Sequence, residues 1–205
     1  MQMTITRALA ELKLLDKKIN KNIKETKFIA TAVGNKPVVN YKSNADFISQ
    51  AQAGYQSILD LIAQRDKIKS SIVDSNAKTI VEISGKSMTV ATAIEKKSSI
   101  EYNQFLLAQL KNQLASANNT VESNNDKMQD KLDKILEASF GKDGKVKDND
   151  MDAITKPYKE QNETKLIDGI NIQDKIDKLY EEVNGFITEV DFVLSTSNST
   201  TYIEV

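Results

Sequence analysis

The chain has 205 residues, of which 28% are charged and only 6% aromatic, so it is long enough for one domain with a substantial core. Its 28 basic residues nearly balance 29 acidic ones, and a net charge of −1 gives no basis for nucleic acid or an anionic membrane as the main partner. Neither cysteine nor histidine occurs, which excludes disulfides, thiolate metal sites and the side chain that most often moves protons near pH 7.

Met1–Lys13 lacks the basic patch, apolar run and small-residue cleavage site of a signal peptide. No window approaches the roughly 18 unbroken apolar residues of a membrane span. Thr4 is placed to cap a first helix over about 4–26, whose apolar face reads Ile5, Ala8, Leu12, Leu15, Ile19 and Ile23. Arg7–Lys27 holds seven basic and three acidic side chains, a local excess of four positive charges expected on a solvated face. The helical period then breaks. Gly34, Asn35, Lys36 and Pro37 are turn chemistry, and with Val38–Tyr41 they predict a small β-hairpin over about 28–41.

Asn44 reads as the N-cap of a second helix over about 44–76, with Phe47, Ile48, Ala51, Tyr55, Ile58, Ile62, Ile68 and Ile72 on one side. Gly54 is expected to permit close packing at a cost of about 1 kcal/mol in helix propensity. A second hairpin, about 79–88, turns at Ser84 and Gly85. Thr89 then caps a long helix over about 89–140. From Leu110 its apolar residues fall at Leu110, Leu114, Ala117, Val121, Met128, Leu132 and Ile135, a helical seam interrupted by Asn124 and Asn125. Such a helix is roughly 75 Å long, so it must lie along other helices, its own or a partner's. Leu110, Leu114, Val121, Met128, Leu132 and Ile135 are the candidate protein–protein contact residues.

Gly141–Lys145 is a helix stop. The charged segment to about Gly169, which contains Pro157, reads as a long connection with one short helix around Met151–Thr155. A last helix over about 170–196 keeps a 4-3 alternation through Ile172, Ile176, Leu179, Val183, Phe186, Val190 and Val193. Glu160–Val205 holds ten acidic and three basic residues. After a polar break at Ser195–Ser199, a strand at about 200–205 ends the sequence. The expected fold is mainly α: a single elongated domain over 1–205, an antiparallel bundle of about four long helices with hairpins at its poles. If each helix reverses on the last, the final strand adds to the second hairpin and steadies it. The third helix outruns the first, and a partner chain is one way to cover the excess seam, so an oligomer is expected.

No catalytic, cofactor or metal site is expected. Asp143, Asp148, Asp150 and Asp152 are spaced like calcium ligands, but an EF-hand loop from Asp148 needs glycine and an acidic residue where Ala153 and Lys159 stand. Gly141–Lys145 closes a helix rather than opening one, so it is not a phosphate loop. Glu181 and Glu182 are adjacent on a helix and do not face each other.

Three stretches, Met3–Ile19 (MTITRALAELKLLDKKI), Ile83–Ile100 (ISGKSMTVATAIEKKSSI) and Glu189–Val205, together resemble a family of small helical proteins encoded in tailed-bacteriophage and prophage genomes. More distantly, the order of hairpin then long helix resembles the septicolysin-like bacterial proteins. Neither resemblance supplies a catalytic motif. The first implies a phage protein, a component of the virion; with the exposed heptad seams and the lack of a site, the expectation is a non-enzymatic structural protein in tail, neck or capsid, assembled in the bacterial host cytoplasm. Its implied partners are further copies of itself and other virion proteins. A scaffold or chaperone absent from the mature particle is the alternative, followed by a pore-forming or lytic protein.

Overall fold

The computed structural model describes residues 2–141 and 148–205. Its elements run β1 (Gln2–Thr4), α1 (Ile5–Glu25), α2 (Asn44–Lys78), β2 (Ile80–Ile83), β3 (Lys86–Thr89), α3 (Val90–Phe140), α4 (Asp148–Asn162), α5 (Ile172–Thr200) and β4 (Tyr202–Glu204). The protein is mainly helical, with two small antiparallel strand pairs. The chain divides into two compact units, Met1–Ser98 with Gly185–Val205, and Ser99–Asn184.

In the first unit α1 and α2 pack antiparallel. The C-cap Thr26 of α1 lies against Gly54 of α2, and Asp16 meets Arg65. The core between them is wholly apolar, with Ile5, Ala8, Leu12, Leu15 and Ile19 from α1 and Leu61, Ile68 and Ile72 from α2. Burying each large aliphatic side chain here contributes about 1.5–3 kcal/mol. Gly54 acts as expected: a Cβ there would stand 2.6 Å from Thr26 Cγ2, closer than any side chain tolerates.

Thr4 caps α1, its Oγ1 accepting from the Arg7 amide at 3.3 Å. The N-cap of α2 is Ser43, not Asn44. Ser43 Oγ accepts from the Asp46 amide at 3.1 Å, while Asn44 Oδ1 reaches back to the Val38 amide at 2.9 Å. That diversion also explains why the hairpin expected over 28–41 does not form. Pro37 has no amide hydrogen, the Val38 amide is spent on Asn44, and Asn40 turns at φ 73°. The segment instead crosses from α1 to α2 with two turns. It is pinned by Phe28 edge-on to Tyr55, at 6.3 Å between ring centres, and by Tyr41 edge-on to Phe47 at 5.0 Å.

The second expected hairpin is present as β2–β3, turning at Ser84 (φ 51°) and Gly85 (φ 71°). Positive φ at both central residues is the turn whose twist matches the flanking strands. The final strand does not join it. β4 pairs instead with β1, placing Met3 opposite Ile203, and the Ile5 amide extends the ladder to the Thr201 carbonyl at 3.0 Å. Met3 and Ile203 both enter the α1–α2 core. β1 therefore pairs the edge of β4 while the helices bury its inward side chain, and Ser71 Oγ of α2 secures it through the Glu204 carbonyl at 3.0 Å. Three residues ahead of a helix cap carry no recognisable strand signal, so the partner of β4 was hidden in the sequence.

In the second unit α3 and the start of α5 run antiparallel. Lys111 lies over the Tyr180 ring at 4.8 Å, and Asn125 meets Thr164. Two helices are longer than the sequence predicts. α4 takes up most of the expected connection and holds Pro157 in its interior. α5 runs through Ser195–Ser199 to Thr200, because the Ser199 and Thr200 hydroxyls bond back to the Thr196 carbonyl at 2.8 and 3.0 Å instead of breaking the turn. Of the Gly141–Lys145 stop, Gly141 is described, at φ 75° with its amide bonded to the Glu137 carbonyl. Lys142–Lys145, Asp143 among them, lie outside the described residues.

Candidate protein-binding surfaces

The α3 seam falls in the second unit. Met128 and Leu132 are buried by the chain's own packing, Leu132 to 1% exposure. Leu110, Leu114 and Val121 are half-buried, and Ile135 stands just in the open. Leu114 lines two clefts. One, of about 400 Å³, also takes in Lys111, Ile176 and Tyr180; the other, of about 220 Å³, takes in Leu166, Ile167 and Ile170. Much of the seam is thus satisfied within the unit. The polar interruption that the sequence shows at Asn125 has a purpose. Its amide donates to the Thr164 carbonyl at 3.0 Å and its Oδ1 accepts the Thr164 amide at 2.8 Å, stapling the segment after α4 to α3.

That staple begins an ordered loop, residues 163–171. Asp168 holds its other end, with Oδ1 accepting from the Ile170 amide at 3.0 Å and Oδ2 from the Ile172 amide at 2.8 Å. These amide donors, Ile170 foremost and then Ile172, hold the Asp168 carboxyl below its ordinary value of 3.8. The loop presents apolar side chains outward: Ile167 is 90% exposed, and Leu166 and Ile170 are also in the open. The sequence hides this feature because its apolar residues follow no period.

A second surface lies in the first unit. Ile23, Phe28, Tyr55, Ile58, Leu59 and Ile62 line a groove of about 520 Å³ along α1 and α2. Tyr55, which the helical period assigns to the inner side of α2, is 57% exposed, as Phe28 and Ile23 are in part. The groove exists because Thr26 abuts Gly54 and leads the chain across α2, so that Phe28 walls one end. Lys24 and Lys27 neighbour it in sequence, and the further face of α1 displays Lys17 and Lys21. Along the same helix pair, Asp16 Oδ1 accepts from Arg65 Nε at 2.6 Å and, by this bond first, raises the guanidinium above its ordinary value.

Elsewhere, Tyr102, Phe105 and Leu106 form an exposed apolar cluster on α3. The carboxylates weighed as calcium ligands fall on α4 from Asp148 onward, a helix instead of a liganding loop, and Asp152 pairs with Lys156 at 2.7 Å. Among the described residues no cluster of three or more potential metal ligands occurs, no polar or charged side chain is buried, and no helix is long and apolar enough to cross a membrane. No family model matches the chain, and no curated protein or solved structure matches it either.

Proposed function

We propose that this protein is a structural component of a tailed-bacteriophage particle, in tail, neck or capsid, and acts through repeated protein–protein contacts instead of catalysis. One observation carries the interaction reading. Large apolar side chains stand in water as organised surfaces: the α1–α2 groove, the 163–171 loop and the Tyr102–Leu106 cluster. Gathered apolar surface of this kind marks a docking site, whereas single exposed residues do not. The assignment to a phage particle is supported by the resemblance of Met3–Ile19, Ile83–Ile100 and Glu189–Val205 to phage-encoded helical proteins. Mass spectrometry of purified particles tests it, with peptides of this chain expected in multiple copies. Absence from the particle would end this reading, and recovery from infected cells alone would make the protein an assembly factor instead.

A further inference from the structure

The groove and the loop are both exposed apolar surfaces. The groove is apolar and sits beside the basic end of α1, where residues 17–27 carry five lysines against Glu25. The loop offers apolar Ile167 and Ile170 within an acidic stretch, residues 160–174, which carries Glu160, Glu163, Asp168 and Asp174 against Lys165. Nearest the groove, Lys24 and Lys27 stand against Glu25, and the loop itself carries Glu163 and Asp168 against Lys165, so the local charges are about +1 and −1. Opposite potentials of this kind steer association and fix register. The loop is also preorganised. Asn125 fastens one end and Asp168 the other, so Ile167 is held in water by a built frame, and little ordering entropy remains to be lost on docking.

Resting on the reading that the chain works by repeated contacts, we propose that the 163–171 loop of one copy seats Ile167 and Ile170 in the α1–α2 groove of a second copy. The two surfaces differ, so the contact is head to tail. The copy that gives its loop keeps a free groove and the copy that receives it keeps a free loop, so the assembly grows into a ring or an open filament. A second copy is favoured over an unrelated partner because both halves of the match, exposed apolar surface and opposite charge, are present on this one chain.

The chain has no cysteine, so introduced ones report proximity cleanly. Ile167→Cys mixed with Leu59→Cys under mild oxidation is expected to give a disulfide-linked species of twice the 22.9 kDa chain mass. The double variant is expected to give a ladder of higher multiples. The unaltered chain is expected to show higher-mass species by light scattering, and Ile167→Asp, at an exposed position that leaves helicity unchanged, is expected to lose them. The proposal is overturned by failure of the mixed product, by equal products from either variant alone, by an intramolecular link in the double variant, or by an unaltered chain that stays at 22.9 kDa at every concentration. Cross-linking is read independently of particle content. A chain found in particles but giving no mixed product overturns this contact alone, and the reverse result overturns the particle assignment alone.

Discussion

Ser84 and Gly185 show how closely single residues are matched. Gly185 sits inside α5 against the β2–β3 turn, where an added Cβ would collide with Ser84 Oγ and approach Ser84 Cβ to 3.2 Å. Alanine in a helix gains about 1 kcal/mol over glycine, but overpacking costs about 1–3 kcal/mol, so the collision decides the sign. Gly185→Ala is expected to lower stability in urea titration. Adding Ser84→Gly removes the obstruction and suits the positive φ there, so the double variant should recover the loss. Asp168 supplies a pH test. Its carboxyl is held below 3.8, so its contribution is fully present above that value and fades as pH falls through the lower folded value. The Ile170 and Ile172 amide resonances should stay constant from pH 7 to 5 and shift only below about pH 3.8. Asp168→Asn can accept at one oxygen only, and one of those amides should lose its protection at every pH.

At the level of elements, periodicity made α1, α2, α3 and α5 legible, because each buries one face and the apolar residues repeat by threes and fours. The β2–β3 hairpin was legible from its turn. What escaped were single side chains bonded to backbone, Asn44 to Val38 and Asn125 to Thr164, and the backbone pairing of β1 with β4. None of these leaves a periodic trace. The α3 seam was legible as apolar, but not which of its residues the chain covers for itself. The structure separates them. Leu132→Ala, at a position 1% exposed, should cost about 2–5 kcal/mol in urea unfolding. Leu106→Ala, in the open cluster on the same helix, should change stability by no more than about 0.5 kcal/mol. A comparable loss at both sites would contradict the burial described for α3.

For the whole molecule, near-neutrality conceals segregation, with basic residues gathered on α1 and acidic ones from Glu160 onward. Surface charges separated by more than about 8–10 Å are screened at physiological salt. If the loop and groove meet through charge as well as apolar contact, raising salt to about 1 M, where the screening length is about 3 Å, should slow association. The Ile167→Asp loss should persist at every salt concentration, since it removes the apolar contact itself. Light scattering across a salt series separates the two contributions.

The pairing of Met3 with Ile203 also constrains how the polypeptide matures as it is synthesised. Ser99–Asn184 is one uninterrupted stretch, so the residues of that unit emerge from the ribosome one after another. The other unit must wait for Tyr202–Glu204, about two hundred residues after the strand they complete. What waits is the β1–β4 pairing: both helices of the α1–α2 core lie within Ile5–Lys78 and are made long before it. Until Tyr202–Glu204 arrives, β1 keeps an unsatisfied edge that is open to other pairings.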